Sequence, residues 1–501
     1  KATDLYLGEQ ASATYYSYDI HGNVDTLVQD YKNSIMAEKN NRFKKLVYKY
    51  DLISGKVDMV AYEPGKIDAF YHRYGYDAEN RLVNVLTSRD SIHWDKDAFY
   101  QYYKHGALAR KVIGQQHVQG IDYAYTLQGW LKAANPILSA TGFNYNRADG
   151  TSNSIVAKDE YRFALNYFNH DYAGIGTGVD SLSGKMNQYL QSDHRSLYNG
   201  NISSMAVNIE QFKQPLLYNY KYDQLNRLVQ MDSWKSDTGW NSLSHVNDFK
   251  ERISYDANGN VLNYIRNGNN TFAGKPLGMD SLVYHYNANT NQLNYVHDDV
   301  AAGNYTEDID NQNADNYTYD AIGNLTKDVK ESIDSIYWTV YGKIDSITKK
   351  DGTGIKYNYD ATGNRIRKAV TKDGITRYTN YVRDASGNTM AIYEAGNSNL
   401  NSGVLTQTEV NLYGSSRLGT LTTNMNVQQI IPVSKINLSG LGDAGYICDF
   451  VRGKKQYELS NHLGNVLVTV SDKKKLMESP LNNGGCDAGT GLDILTVGNR
   501  D

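Results

Sequence analysis

Six aspartates occupy equivalent points of one recurring string and are the first candidates for chemistry: Asp19, Asp77, Asp223, Asp256, Asp320 and Asp360. Carboxylates in number could act as acid–base pairs or ligate a hard cation. Three residues after each comes Gly22, Asn80, Asn226, Gly259, Gly323 or Gly363. That spacing belongs to a turn. The aspartate accepts a backbone N–H, and glycine, or asparagine as the next most tolerant residue, takes the left-handed position. The eleven histidines are scattered, without the HxH, HExxH or Cys-x-x-Cys spacing of a zinc site. His462, in SNHLGN with Leu463, Gly464 and Asn465, reads as a turn residue bonded to backbone, since no nucleophile can be placed beside it. The acidic run EDIDNQNAD (307–315) has the outline of a calcium loop. However, Gln312 and Ala314 fill ligand positions and the sixth place is not glycine. Phosphate-loop, dinucleotide-fold and hydrolase-elbow motifs are absent. The expectation is a protein that is not an enzyme, with no catalytic residue, no metal and no cofactor.

The elements that position these residues repeat along the chain. YDIHGN (18–23), YDAENR (76–81), YDQLNR (222–227), YDANGN (255–260), YDAIGN (319–324) and YDATGN (359–364) share Tyr-Asp-x-x-Gly/Asn-Asn/Arg, with Leu, Val or Ile soon after. Looser copies are YDLISGK (50–56), YTLQGWL (125–131), YNANTNQL (286–293), YGKI (341–344) and YVRDASGN (381–388). From Tyr222 onward, neighbouring copies are 33, 31, 33, 22, 18 and 22 residues apart. Alternating tyrosines precede many turns, as in Tyr16/Tyr18, Tyr317/Tyr319 and Tyr357/Tyr359. Period two marks a strand, so each such pair shares one face. Each unit is a β-hairpin closed by a three-residue turn with a glycine bulge. Thr290 does not suit that turn, so its copy turns differently. A single hairpin is marginal in water, so neighbours must pair edge to edge into a long antiparallel sheet that coils. Periodicity leaves a coiled sheet, a large barrel and a β-solenoid open. Helix should stay under roughly 10%, against a usual third.

Composition agrees. Tyr is 43 of 501 residues, while Phe is 10 and Trp 5. Pro is only 6, as central strands require. A net charge of −4 excludes a general nucleic-acid or anionic-membrane footprint, and the aromatic content argues against disorder. No apolar run is long enough to span a membrane as a helix. Two cysteines, Cys448 and Cys486, are too few for a disulfide framework, and whether they pair is open.

The array divides by sequence character. Residues 1–133 form one repeat segment and 217–395 another. Residues 134–216 break the pattern as a divergent insertion within the array. There, SATGFNYNRADGTSNS (139–154) is turn-like, DEYRFALNYFNHDY (159–172) is a strand pair or short helix, and SLYNGNISSM (196–205) a further hairpin segment. Residues 298–316 read as a long exposed loop. Residues 396–455 read as irregular β and loop, with a short strand VNLYG (410–414). Residues 456–501 hold the SNHLGN motif and a tail.

The Tyr-Asp-x-x-Gly-Asn series resembles the YD repeats of RHS-repeat proteins. YELSNHLGNVLVTVSDKK (457–474), IDYAYTLQGWLKAANP (121–136) and LYNGNISSM (197–205) resemble the Bacteroidetes-type branch, the first being similar to the start of its repeat-associated core. The resemblance covers about residues 15–475. It implies an all-β fold of hairpins coiled into a large hollow shell. In relatives such shells enclose a C-terminal toxic domain or serve in cell-surface adhesion. It also implies export, to a secreted or bacterial cell-surface location. The family's core usually continues into a self-cleaving region with paired aspartates. The 27 residues after Lys474 do not match that region.

The expectation from sequence is therefore a non-catalytic shell piece that encloses and helps deliver a C-terminal effector or cargo. Secretion or cell-surface proteins are further partners. The alternative is an adhesin or glycan-binding module on the same shell, with tyrosine faces stacking sugars. Nucleic acid is not expected as a partner. The chain reads as incomplete at both ends, with residues after about 475 weakly anchored or paired with a missing segment.

Overall fold

The structure is a computed structural model. It describes residues 12–32, 34–135, 149–150, 154–172, 190, 193–212, 214–236, 243–428, 451–475 and 493–494. Strand makes up 52% and helix 4%. Eighteen strands, from Ala13–Tyr18 to Leu293–Asp298, form one sheet in which each pairs antiparallel with the next in sequence. Twelve more, from Tyr317–Tyr319 to Val466–Ser471, repeat this plan. Among the described residues the strands thus form a hairpin ribbon without crossovers.

Period-two sequence explains the strands. The rings of Tyr16 and Tyr18 stack at 6.4 Å, and those of Tyr48 and Tyr50 at 6.5 Å, so each pair shares a face. Tyr317 and Tyr319 are half-buried while Thr318 between them is exposed, the same alternation. At the repeat turns the register slips, so that Tyr18 opposes Val24 and Tyr319 opposes Leu325, the bulge that a three-residue loop needs.

Between the two ladders, residues 299–316 run without strand. This segment is not simply an exposed loop. Gln312 is buried and stands in for a strand residue: its N–H donates to the Val296 carbonyl (3.0 Å), and its Oε1 accepts from the Val296 N–H (2.9 Å).

The divergent stretch joins the ribbon through the strands Tyr161–Asn166 and Ser204–Ile209, which pair with each other and with their neighbours. Residues 159–172 thus hold one strand, neither a strand pair nor a helix. Residues 196–203 form no hairpin; Tyr198 instead stacks on Phe168 at 4.7 Å. The region read as irregular from 396 contains two long paired strands, Thr406–Tyr413 and Arg417–Asn426. Its Asn/Ser/Thr-rich sequence hid them because Leu405, Val410, Leu412, Leu418 and Leu421 are spaced among polar residues yet all buried. Most of SATGFNYNRADGTSNS, both cysteines and most of the tail lie outside the described residues.

The core forms where the ribbon returns on itself. Strands between residues 27 and 165 pack against strands between 366 and 470, sharing one cluster that includes Leu27, Leu46, Phe70, Ile113, Val382, Leu412, Leu459 and Val470.

Candidate functional site

Each repeat turn is a small hydrogen-bonded device. In the first, Asp19 Oδ1 accepts the N–H groups of His21 (2.8 Å) and Asn23 (2.9 Å), and Oδ2 accepts from Asn23 Nδ2 (3.0 Å). Asp77, Asp223, Asp256, Asp320 and Asp360 accept the equivalent pair of N–H groups. These bonds, with the burial of the turn opposing them, hold Asp19, Asp77, Asp223, Asp256 and Asp320 below the usual carboxylate range. Gly22, Gly259, Gly323 and Gly363 have φ of 86°, 93°, 93° and 81°, and Asn80 and Asn226 replace them at 60° and 61°. In the Thr290 copy the left-handed residue is Asn289, one place earlier (φ 61°).

SNHLGN is one more such turn. Asn461 takes the aspartate's place and accepts from the N–H groups of Leu463 (2.9 Å) and Asn465 (3.0 Å), while Gly464 has φ 86°. His462 is half-buried against Phe163, with ring centroids 6.3 Å apart, and burial lowers its pKa. Leu463 is exposed at the tip.

A tyrosine that ends the strand entering a turn often couples one hairpin to the one before it. Tyr50 Oη donates to the Val24 carbonyl (2.9 Å), Tyr76 to Val57 (3.0 Å) and Tyr102 to Leu82 (2.7 Å). Tyr255 donates to Leu228, Tyr286 to Val261, Tyr319 to Leu293 and Tyr359 to Ile344. Each acceptor begins the strand that leaves the preceding turn. Where the residue is Trp338, its indole Nε1 makes the same bond to Leu325 (2.7 Å). Phenylalanine could not do this, which accounts for the tyrosine bias. Where the repeat ends in arginine, that residue adds a second link: Arg81 and Arg227 pair with their own aspartates and cover the rings of Tyr102 and Tyr255 at 4.8 and 4.6 Å.

A second set of charged residues, which sequence reasoning missed, binds the two layers together. In one cluster the Lys44 ammonium pairs with Asp68 and lies 4.4 Å from the centre of the Tyr393 ring. Tyr393 Oη donates to Asp68 Oδ2 (2.6 Å) and is hydrogen-bonded to Tyr62. In the other, Lys455 Nζ reaches Asp97 (2.6 Å), Asp95 (2.8 Å) and Thr87 (3.0 Å). Tyr457 Oη donates to Asp97 (2.6 Å), and Arg452 donates twice to Asp95 at 2.8 Å. Burial alone would raise Asp68 and Asp95; the facing Lys44, and Arg452 with Lys455, more than offset it and lower both. Buried ions persist only when paired in this way. A sign of the clusters was readable in sequence, as Lys44, Asp95, Asp97 and Lys455 sit inside alternating strands.

The arrangement is one of fastening. His72 is buried and held neutral, its pKa lowered by burial to about 3, while its Nε2 accepts the Tyr413 N–H (3.3 Å). Among the described residues, no group of three His, Cys, Asp or Glu side chains could hold a metal ion. No described helix is long and apolar enough to cross a membrane.

Neither a protein-family model nor a curated protein matches the sequence. Among solved structures, the crystal structure of TcdB2-TccC3 without its hypervariable C-terminal region aligns over 93% of this chain, with a TM-score of 0.56 and 12% identity. This chain spans 20% of that one. TcdB2-TccC3-Cdc42 and the Photorhabdus luminescens Tc holotoxin pore align over 92% and 93% of the chain at TM-scores of 0.32 and 0.27, with 12% and 11% identity; this chain covers 22% and 26% of theirs. The fold is therefore RHS-like: antiparallel hairpins coiled as a β-shell.

Proposed function

We propose that this chain is a non-catalytic section of a secreted or surface-exposed bacterial shell, of the Bacteroidetes RHS type, that encloses and helps deliver a C-terminal effector. The observation that carries this reading is the return of the ribbon onto its own beginning, fastened by the Lys44–Asp68 and Lys455–Asp97 clusters. Two layers packed face to face in this way make a wall. The likeness to TcdB2-TccC3 supports it at the level of fold. The wall's mechanism is confinement. Half-buried tyrosines with hydroxyls tied to backbone offer cargo a surface that is neither strongly charged nor greasy. No residue acts on the cargo, so purified protein should turn over no nucleic acid, peptide or glycoside substrate.

The test uses the full-length gene product under limited proteolysis, read by mass spectrometry. Enclosure requires that a segment following the SNHLGN turn resist cleavage in the native protein and become cleavable when Lys455→Ala loosens the wall. Equal cleavage in both proteins would overturn enclosure. Binding of the same protein to immobilised glycans would then favour the adhesin.

A further inference from the structure

A cavity of about 360 Å³ opens on one face of the middle ribbon, a size usual for a small-molecule site. Register sets its floor. Tyr220 opposes Met231, Met231 opposes Glu251 and Glu251 opposes Arg266, so these side chains form one row across adjacent strands. Tyr218 stands two residues from Tyr220 on the same face. The rim is a strained one. Between the pairs Met231–Glu251 and Ser233–Val246 the register jumps, so residues 247–250 bulge opposite Asp232. In that bulge Phe249 has φ 58°, an outlier for a bulky residue.

The surroundings hold that conformation in place. Asp248 accepts from the Thr271 N–H (2.7 Å) and hydroxyl (2.6 Å), and the Phe249 N–H donates to the Gly268 carbonyl (3.2 Å). The Phe249 ring meets Tyr218 edge-on at 6.4 Å and stacks on Phe272 at 6.0 Å. Tyr305 closes the cavity over Gly268, where its ring leaves no room for a Cβ. The Tyr305 hydroxyl accepts the Asn269 N–H (2.9 Å) and donates to the Pro276 carbonyl (2.7 Å), while Lys275 already lies 5.1 Å from the ring. Backbone strain maintained by so many contacts points to a functional site.

Charge gives the ligand its sign. Arg266 is taken by Asp280 at 2.6 Å. The half-buried Glu251 carboxylate makes no ion pair among the described residues, and burial raises its pKa more than the Tyr264 hydroxyl and Arg266 lower it. It lies near enough to the rings to act on them: burial and then Glu251 bring the Tyr218 hydroxyl up to about 12. A carboxylate without a cation, beside the faces of Tyr218, Tyr220 and Phe249, suits a cation with an apolar surface. Rings and the thioethers of Met231 and Met279 supply faces rather than acceptors, so a cation without N–H groups fits better than a primary ammonium with three donors to satisfy. We propose that this cavity binds a compact quaternary ammonium, its head against Tyr218, Tyr220 and Phe249 and beside the Glu251 carboxylate. That head group is shared by free choline and by choline lipids.

Titration calorimetry on the 501-residue chain tests this with choline as probe and dimethylbutanol, its carbon isostere, as the uncharged counterpart. Choline should bind, and dimethylbutanol should bind at least about tenfold more weakly, the weight of a desolvated cation–π contact. Glu251→Gln should remove most of that preference without lowering the melting temperature of the free protein, because a neutral group of the same size replaces a half-buried carboxylate. Phe249→Asn removes the ring but keeps a residue that tolerates positive φ, and should weaken choline several-fold. Phosphatidylcholine vesicles separate the two sources of the head group. Capture of the protein that choline competes and Glu251→Gln loses identifies a lipid, and choline binding without capture identifies a free molecule. Absence of choline binding, equal binding of dimethylbutanol, or full choline affinity in either variant would overturn the proposal.

Discussion

The same hairpin repeat is used in two settings. From residue 243 to 372 the ribbon has few fully buried side chains; the apolar ones are Leu282, Val296, Ile336 and Ile366. From residue 375 to 428 it packs on the early strands, and Val382, Met390, Tyr393, Leu405, Val410, Leu412, Leu418 and Leu421 are all buried. Turn bonds and tyrosine hooks are alike in both, as Asp320 and Asp384 show. Local bonding is therefore enough to shape the sheet. Burial is added by a second layer, and with it comes the need to neutralise charges that water no longer reaches.

The sharpest test breaks that second layer. Lys455→Ala strands the Asp97 carboxylate in the interior without a cation, while Asp95 keeps Arg452, and should cost about 3–5 kcal/mol in urea denaturation. The same change at Lys372, whose pair with Asp351 is exposed, should cost about 0–1 kcal/mol. Comparable losses would erase the distinction between the regions. In the single layer, Gly323→Val should cost about 1–2 kcal/mol, because a β-branched residue is forced to positive φ, and Gly323→Asn less. Nothing else lies within 4 Å of the added Cβ, so the loss would report the backbone alone. Tyr319→Phe should remove about 0.5–1.5 kcal/mol by leaving the Leu293 carbonyl unmatched, whereas Tyr393→Phe, whose partner is the Asp68 carboxylate, should remove more.

A fourth test uses pH. Burial, with Asp149 and Asp122 nearby, raises Asp159 to about 8, against the pull of Arg162 and Arg110. Folded protein then keeps a proton that unfolded chain releases above about 4, so this group's contribution falls as pH rises from about 4 to 8. Asp159→Asn should flatten that part of the stability–pH profile. Asp68 and Asp95, lowered on folding, act oppositely: their contribution is present above the unfolded value and is lost as acid protonates them. An unchanged slope in Asp159→Asn would show that its carboxyl is ionised when folded.

What the sequence revealed divides by distance along the chain. Asp19 binds residues two and four positions on, so its turn could be read from six letters. The reading faltered where chemistry was kept but the letter changed. Asn461 made SNHLGN look like a separate motif, and Thr126 and Thr339 each supply a hydroxyl where aspartate is usual. The tyrosine hooks span about 20 residues and were visible only as a bias toward tyrosine. Lys455 and Asp97 are 358 positions apart, and nothing local specifies that they meet.

The tyrosine hooks also give the ribbon a direction in time. Each hook belongs to the later hairpin and each acceptor carbonyl to the earlier one, as in Tyr76 reaching Val57 and Tyr102 reaching Leu82. A ribosome adds about 5–20 residues per second, whereas a hairpin closes in about 1–10 μs. Every new hairpin thus emerges, closes and finds its acceptor already in place before the next has been made. Synthesis order and bonding order coincide, and only the newest strand waits with an open edge while the rest of the message is translated.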